Sequence, residues 1–164
     1  MDLPNGPPGH PIHPPLTDAT IGIYTAATVF SLLSVFGVSE RNTATGWWLA
    51  LVVGLVFTVP TALAGLVDWL GLERGTSVWR TATTHLAAMV TATVFFLLAA
   101  LVGHGSYTDG EVSTGGLVLT LVGYGLLAVG GFLGGKLVFV HGLRVLEREP
   151  NREATSAGAA PEHC

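Results

Sequence analysis

Four long apolar stretches constrain this chain more than any other feature. From Ala19 to Val38 there is no Asp, Glu, Lys, Arg or His. Three more stretches, at about 47–70, 82–102 and 116–141, are nearly as free of charge. A helix needs about 20 apolar residues to cross the hydrocarbon core of a bilayer, and each stretch meets that length. Composition agrees. Charged residues make up 11% of the chain and mean hydropathy is +0.58, whereas a soluble domain carries about 25% charged residues.

The links between the stretches are short and polar: Ser39 to Gly46, Gly71 to Thr81 with Glu73, Arg74 and Arg80, and Gly103 to Gly115 with Asp109 and Glu111. Short links force antiparallel neighbours. The predicted fold is therefore all-α, an integral membrane four-helix bundle running up-down-up-down. Residues 1–16 form a Pro/Gly-rich lead-in, because Pro4, Pro7, Pro8, Pro11, Pro14 and Pro15 oppose helix formation and favour extended chain. The transmembrane domain is expected over 17–146, with Thr17 or Asp18 capping the first helix. Residues 147–164 are expected to be a disordered tail. Pro60 falls inside the second helix and should bend it. Trp47, Trp48, Trp69 and Trp79 lie at the ends of segments, where indole rings favour the headgroup level.

Basic residues set the expected orientation. Arg74, Arg80, Arg144, Arg148, Arg152 and Lys136 gather on the side of the termini, and Arg41 stands alone on the other. This predicts a multi-pass protein of a cell membrane with both termini in the cytoplasm. The N-terminus lacks the basic start of a signal peptide, so the first stretch is expected to stay in the mature protein. With no basic patch, nucleic acid is not an expected partner. The expected partner is the lipid bilayer. One cysteine, Cys164, cannot form an internal disulfide and leaves the redox compartment open.

The chemistry-bearing residues fall near helix ends. His10 and His13 precede the first helix, Asp68 ends the second, His85 opens the third and His141 ends the fourth. In an up-down-up-down bundle these positions share one membrane boundary. Helical spacing puts Asp68, His85 and His141 on stripes of small residues, Gly65 among them for the second helix and Gly123, Gly130 and Gly134 for the fourth. The pairs Gly130/Gly134 and Gly131/Gly135 also fit the small-xxx-small pattern of membrane helix contacts. Ionisable groups turned into a membrane bundle are functional candidates. Imidazoles with a carboxylate bind divalent transition metals, two imidazoles ligate haem iron from both faces, and a His/Asp chain relays protons. Thr17 and Asp18 stand where a ligating imidazole would place its other N–H. The same residues also fit a structural role, as hydrogen-bonded pairs at the water boundary. No HExxH, CxxC, phosphate loop or nucleophile motif is present.

Three segments together resemble a known family. They are Gly9-His10-Pro11-Ile12-His13-Pro14 with Leu16-Thr17-Asp18 and Ile21-Gly22; Ala64-Gly65-Leu66-Val67-Asp68-Trp69 followed by His85; and Gly131-Phe132-Leu133-Gly134-Gly135-Lys136-Leu137-Val138 with His141-Gly142 and Val145. In this order, over about residues 9–146, they resemble family 2231 of the domains of unknown function. The resemblance implies a bacterial inner-membrane protein of four helices. It also implies a setting of membrane redox work beside a redox partner protein, since some relatives are fused to Rieske-type or cytochrome-like modules. Pro15 and Thr20 depart from the family pattern, and the His and Asp positions do not. The leading expectation is a membrane-embedded binding or redox subunit, not an enzyme on its own. It would hold haem b or a divalent transition metal through His13, His85 and His141, with His10 and Asp68 as further candidates. The alternative is a structural or assembly protein whose His/Asp cluster only locks the bundle.

Overall fold

The computed structural model describes residues 12–143. Expectations for His10, the tail and its arginines lie outside that range. Four helices follow in order: α1 His13–Val35, α2 Glu40–Leu70, α3 Ser77–Asp109 and α4 Thr114–Phe139. All four are long and apolar enough to cross a membrane. They close a ring in which α1 meets α2, α2 meets α3, α3 meets α4 and α4 meets α1. The up-down-up-down bundle is therefore as expected, with α1 and α3 on one diagonal.

The helices outrun their apolar stretches. α3 has 33 residues, and at about 1.5 Å per residue it extends roughly 50 Å, against about 30 Å of hydrocarbon. Its ends therefore stand in the headgroup layers, where polar residues are tolerated. The expected links shrink accordingly. α1 also begins earlier than expected, at His13. Pro14 and Pro15 are compatible with its first turn, where a backbone N–H has no intrahelical partner to lose. The lead-in is shorter than its prolines imply, and Thr17 is no cap. Its hydroxyl donates to the His13 carbonyl at 2.9 Å, one turn back. The cap position is Ile12, which makes no side-chain bond. α3 and α4 are capped as side-chain chemistry predicts: Thr76 Oγ1 accepts from the Trp79 amide, and Ser113 Oγ from the Gly116 amide. α2 continues through Pro60 without a break.

Large side chains face outward along the spans, Val56, Leu63, Leu101 and Phe132 among them, the last 75% exposed. A water-soluble bundle would hide these groups, whereas a lipid-facing surface presents them. The interior mixes aromatic and small hydroxylated residues. Tyr24 and Phe96 stack across the α1–α3 diagonal at 3.9 Å between ring centroids. Thr28 and Thr120 bury their hydroxyls by donating to carbonyls one turn back, to Tyr24 and Gly116 respectively. Trp47 corrects the headgroup expectation. It is fully buried, and its indole N–H donates to Thr120 across the bundle at 3.0 Å. Because α2 starts at Glu40, Trp47 sits two turns inside the helix.

The second hairpin repeats the first. His13 and Tyr24 are eleven residues apart on α1, as are His85 and Phe96 on α3. Eleven residues make three helical turns, so each pair lies along one helix face. Gly54 of α2 lies against Tyr24, and Gly123 of α4 lies against Phe96. The two hairpins run in the same sense and place equivalent residues at equivalent depths.

Candidate functional site

The repeat brings His13 and His85 to the same end of the bundle from opposite corners. His13 is the first residue of α1 rather than lying before it, and His85 is the ninth residue of α3 rather than lying in its first turn. His13 Nδ1 lies 3.0 Å from the carbonyl oxygen of Thr61 on α2. His85 Nδ1 lies 2.8 Å from the carbonyl oxygen of Gly130 on α4. A carbonyl only accepts, so Nδ1 carries the proton in both rings. In the neutral form each imidazole then presents a lone pair on Nε2.

Each ring also leans on a glycine one turn further along the accepting helix. A Cβ on Gly65 would lie 2.7 Å from His13 Cε1, and a Cβ on Gly134 would lie 3.3 Å from His85 Cε1. Hydrogen-bond acceptor and flat glycine seat thus recur four residues apart, at Thr61/Gly65 and at Gly130/Gly134. A Cβ at Gly65, Gly123, Gly130 or Gly134 would press on a side chain of a neighbouring helix. Gly131 and Gly135 differ, because no neighbouring helix approaches them. A Cβ on Gly131 would meet nothing within 4 Å, and one on Gly135 only Phe139 of the same helix, at 3.9 Å.

The remaining candidates do not join this pair. His141 lies just past α4, its Nε2 3.3 Å from Thr81 Oγ1. The Thr81 hydroxyl already donates to the Ser77 carbonyl, so His141 is the donor to it. That bond ties the end of α4 to the start of α3. Asp68 is half-buried in the last turn of α2 and is not a free carboxylate. Asp18 is exposed on α1. Thr17 is the hydroxyl near a ring, its Oγ1 3.5 Å from His13 Nε2. Among the described residues, no three of His, Cys, Asp and Glu form a group able to hold a metal ion. The expected convergence of three or four ligands on one point is not found among the described residues. Helix ends at one level still lie on different corners of the ring, and His141 is held at the rim by Thr81.

Sequence reasoning missed the carbonyls of Thr61 and Gly130, since a backbone acceptor leaves no residue-type signature. It also missed the repeat, whose signal was present in the eleven-residue His-to-aromatic spacing of α1 and α3.

Fold and site define a four-span membrane protein built of two like hairpins, each contributing one backbone-anchored imidazole. Residues 9–147 match the family described as a predicted membrane protein, domain of unknown function 2231. The chain belongs to that family. No curated protein and no solved structure matches it.

Proposed function

We propose that the protein is a membrane-embedded redox subunit that binds haem b between His13 and His85. The observation that carries this reading is the protonation pattern of the pair. Both Nδ1–H groups are committed to backbone carbonyls, which fixes the tautomer and turns Nε2 into the donor atom. Ligating histidines normally have this arrangement, because the second hydrogen bond orients the ring and raises its basicity. The count of donors favours haem over a divalent ion. Structural zinc sites use four protein ligands and catalytic ones three, whereas haem iron brings its equatorial nitrogens and asks the protein for two axial groups. When bound, the haem supplies one-electron chemistry, which a redox partner protein would draw on. His13 and His85 hold it, Gly65 and Gly134 leave their rings room, and the apolar outer surface keeps the site within the bilayer. In the structural alternative the same two hydrogen bonds only lock each hairpin.

Titrating the detergent-purified chain with haem tests the choice. The expected result is a Soret band of six-coordinate, bis-imidazole character. His13→Ala and His85→Ala should each weaken haem retention by at least about tenfold, while His141→Ala leaves it unchanged. Wild-type protein that gains no Soret band when offered haem is what the structural alternative predicts, and that outcome sinks the haem reading.

In this reading the site lies at the cytoplasmic face of a bacterial inner membrane. Arg74, Arg80 and Lys136 support this against Arg41 alone, and Arg144, Arg148 and Arg152 follow α4 in sequence. Reporter fusions at Gly75 and after Gly142 should therefore read cytoplasmic, and a fusion near Asp109 should read external. The opposite pattern would put the imidazole pair on the outer face.

A further inference from the structure

One face of α1 carries a hydroxyl at every turn: Thr17, Thr20, Tyr24, Thr28, Ser31 and Ser34. Steps of three and four residues keep the row on one side of the helix. From Thr20 onward all of its members are buried. Counted from His13 to Ser34 the row rises roughly 30 Å at about 1.5 Å per residue, close to the roughly 30 Å of a bilayer's hydrocarbon core. α2 meets it with hydroxyls of its own. Thr61 Oγ1 lies 2.9 Å from Thr20 Oγ1. The Thr58 hydroxyl donates to the Gly54 carbonyl, so the Tyr24 hydroxyl donates to Thr58, at 2.9 Å. At one end of the row Thr17 Oγ1 lies 3.5 Å from His13 Nε2. At the other end Ser34 donates to the Glu40 carbonyl, where α2 begins.

The second hairpin is an internal control for this row. At the equivalent depths α3 has Met89, Ala92, Phe96, Ala100 and Gly103, and α4 has Leu127 in place of Thr58. These residues pack the same hairpin without a hydroxyl. Close packing therefore does not require the hydroxyls of α1, and a polar group in the bilayer interior costs free energy unless it is bonded. Their hydrogens are placed: Thr20, Thr28 and Ser31 donate to the carbonyls of Leu16, Tyr24 and Thr28. A hydroxyl that donates still has oxygen lone pairs that accept. Each member of the row is thus both a proton donor and a proton acceptor, from one membrane boundary to the other.

We propose that the α1–α2 hairpin conducts protons across the membrane along this row. An incoming proton binds a lone pair of one hydroxyl oxygen while that oxygen releases the proton it held to the next acceptor. One O–H bond forms for each that breaks, and no electron moves. Members one turn apart have Cβ atoms about 5–6 Å from each other, and a change of χ1 rotamer turns a hydroxyl from its own carbonyl toward the next oxygen. Every proton carries one positive charge across, so a membrane potential drives the flux. No cofactor takes part, and the proposal does not rest on the haem reading.

The test uses the purified full chain in phosphatidylcholine liposomes loaded with potassium and a trapped pH-sensitive dye. Valinomycin releases potassium and makes the interior negative. Wild-type liposomes should acidify faster than protein-free liposomes treated alike. Tyr24→Phe keeps the ring that stacks on Phe96 and removes only the hydroxyl, and it should bring the rate down to the protein-free level. Thr20→Ala should do the same. Thr91→Ala removes an exposed hydroxyl of α3 outside the row and should leave the rate unchanged. Detergent melting of each variant checks that it still folds. Three results overturn the proposal: a wild-type rate equal to that of protein-free liposomes, folded Tyr24→Phe and Thr20→Ala variants that both conduct like wild type, or a Thr91→Ala rate as low as that of Tyr24→Phe. A Soret titration decides the haem reading separately, and neither result bears on the other.

Discussion

Trp47→Ala should be the most destabilising single substitution in the bundle, lowering the detergent melting temperature more than alanine at any lipid-facing position. Trp47 is fully buried and fills the centre of the end remote from the imidazoles. A Cβ on Gly103 of α3 would overlap its ring, and one on Gly116 of α4 would come within 2.6 Å of it. The indole therefore occupies a place created by glycines on two other helices, and its N–H is held by Thr120. Removing it opens a cavity against rigid backbone that cannot collapse, and leaves the Thr120 hydroxyl without its donor. Truncation of a buried Trp costs about 3–5 kcal/mol in water-soluble cores. The lower end of that range is expected here, because lipid is as apolar as the bundle interior and the transfer component is small. Trp48→Ala provides the comparison. Trp48 is half-buried and stacks on Tyr107 near the same boundary, so its loss should cost less. Equal melting curves for the two variants would show that the remote end does not pack around Trp47.

Gly134→Leu should be damaging beside the candidate site, and Gly131→Leu should be close to neutral. The two glycines are three residues apart on α4 and read alike in the sequence. Gly134 faces the His85 ring, which leaves 3.3 Å for a Cβ and nothing for the rest of a leucine. Gly131 has no neighbour within 4 Å. The His85 ring cannot give way cheaply, because Nδ1 is held by the Gly130 carbonyl one turn earlier. Overpacking of this kind typically costs about 1–3 kcal/mol. It should also move the imidazole off its acceptor, so haem uptake should fall together with stability. Thermal melting and a haem titration of both variants check the claim. If Gly131→Leu proves the worse of the two, α4 is rotated relative to the packing described.

Much of the architecture was legible before any coordinate. Length and apolarity alone mark four spans, and the short links then admit only antiparallel neighbours. Helix limits were less legible, because apolarity marks where lipid lies and not where hydrogen bonding stops. α2 starts at Glu40 and α3 runs to Asp109, since a helix gains by continuing through the headgroup layer until Ser39 or Gly110, both at positive φ, ends the repeat. The same error misplaced Trp47. Counted from the apolar edge it looked like a headgroup anchor, and counted from the true helix start it lies in the core.

The candidate site divides in the same way. Up-down-up-down topology put His13 and His85 at one expected boundary, because chain direction and link length decide depth along the membrane normal. Tertiary packing alone decided which groups meet across the bundle. It paired each imidazole with a backbone carbonyl on the neighbouring helix, left His141 on Thr81, and separated Gly134 from Gly131. Depth is a one-dimensional quantity that a sequence of apolar and polar residues encodes directly. Rotation of each helix about its axis is set by the fit of Trp47, Tyr24 and Phe96 against glycines far away in the chain, and that fit exists only once the four helices are packed.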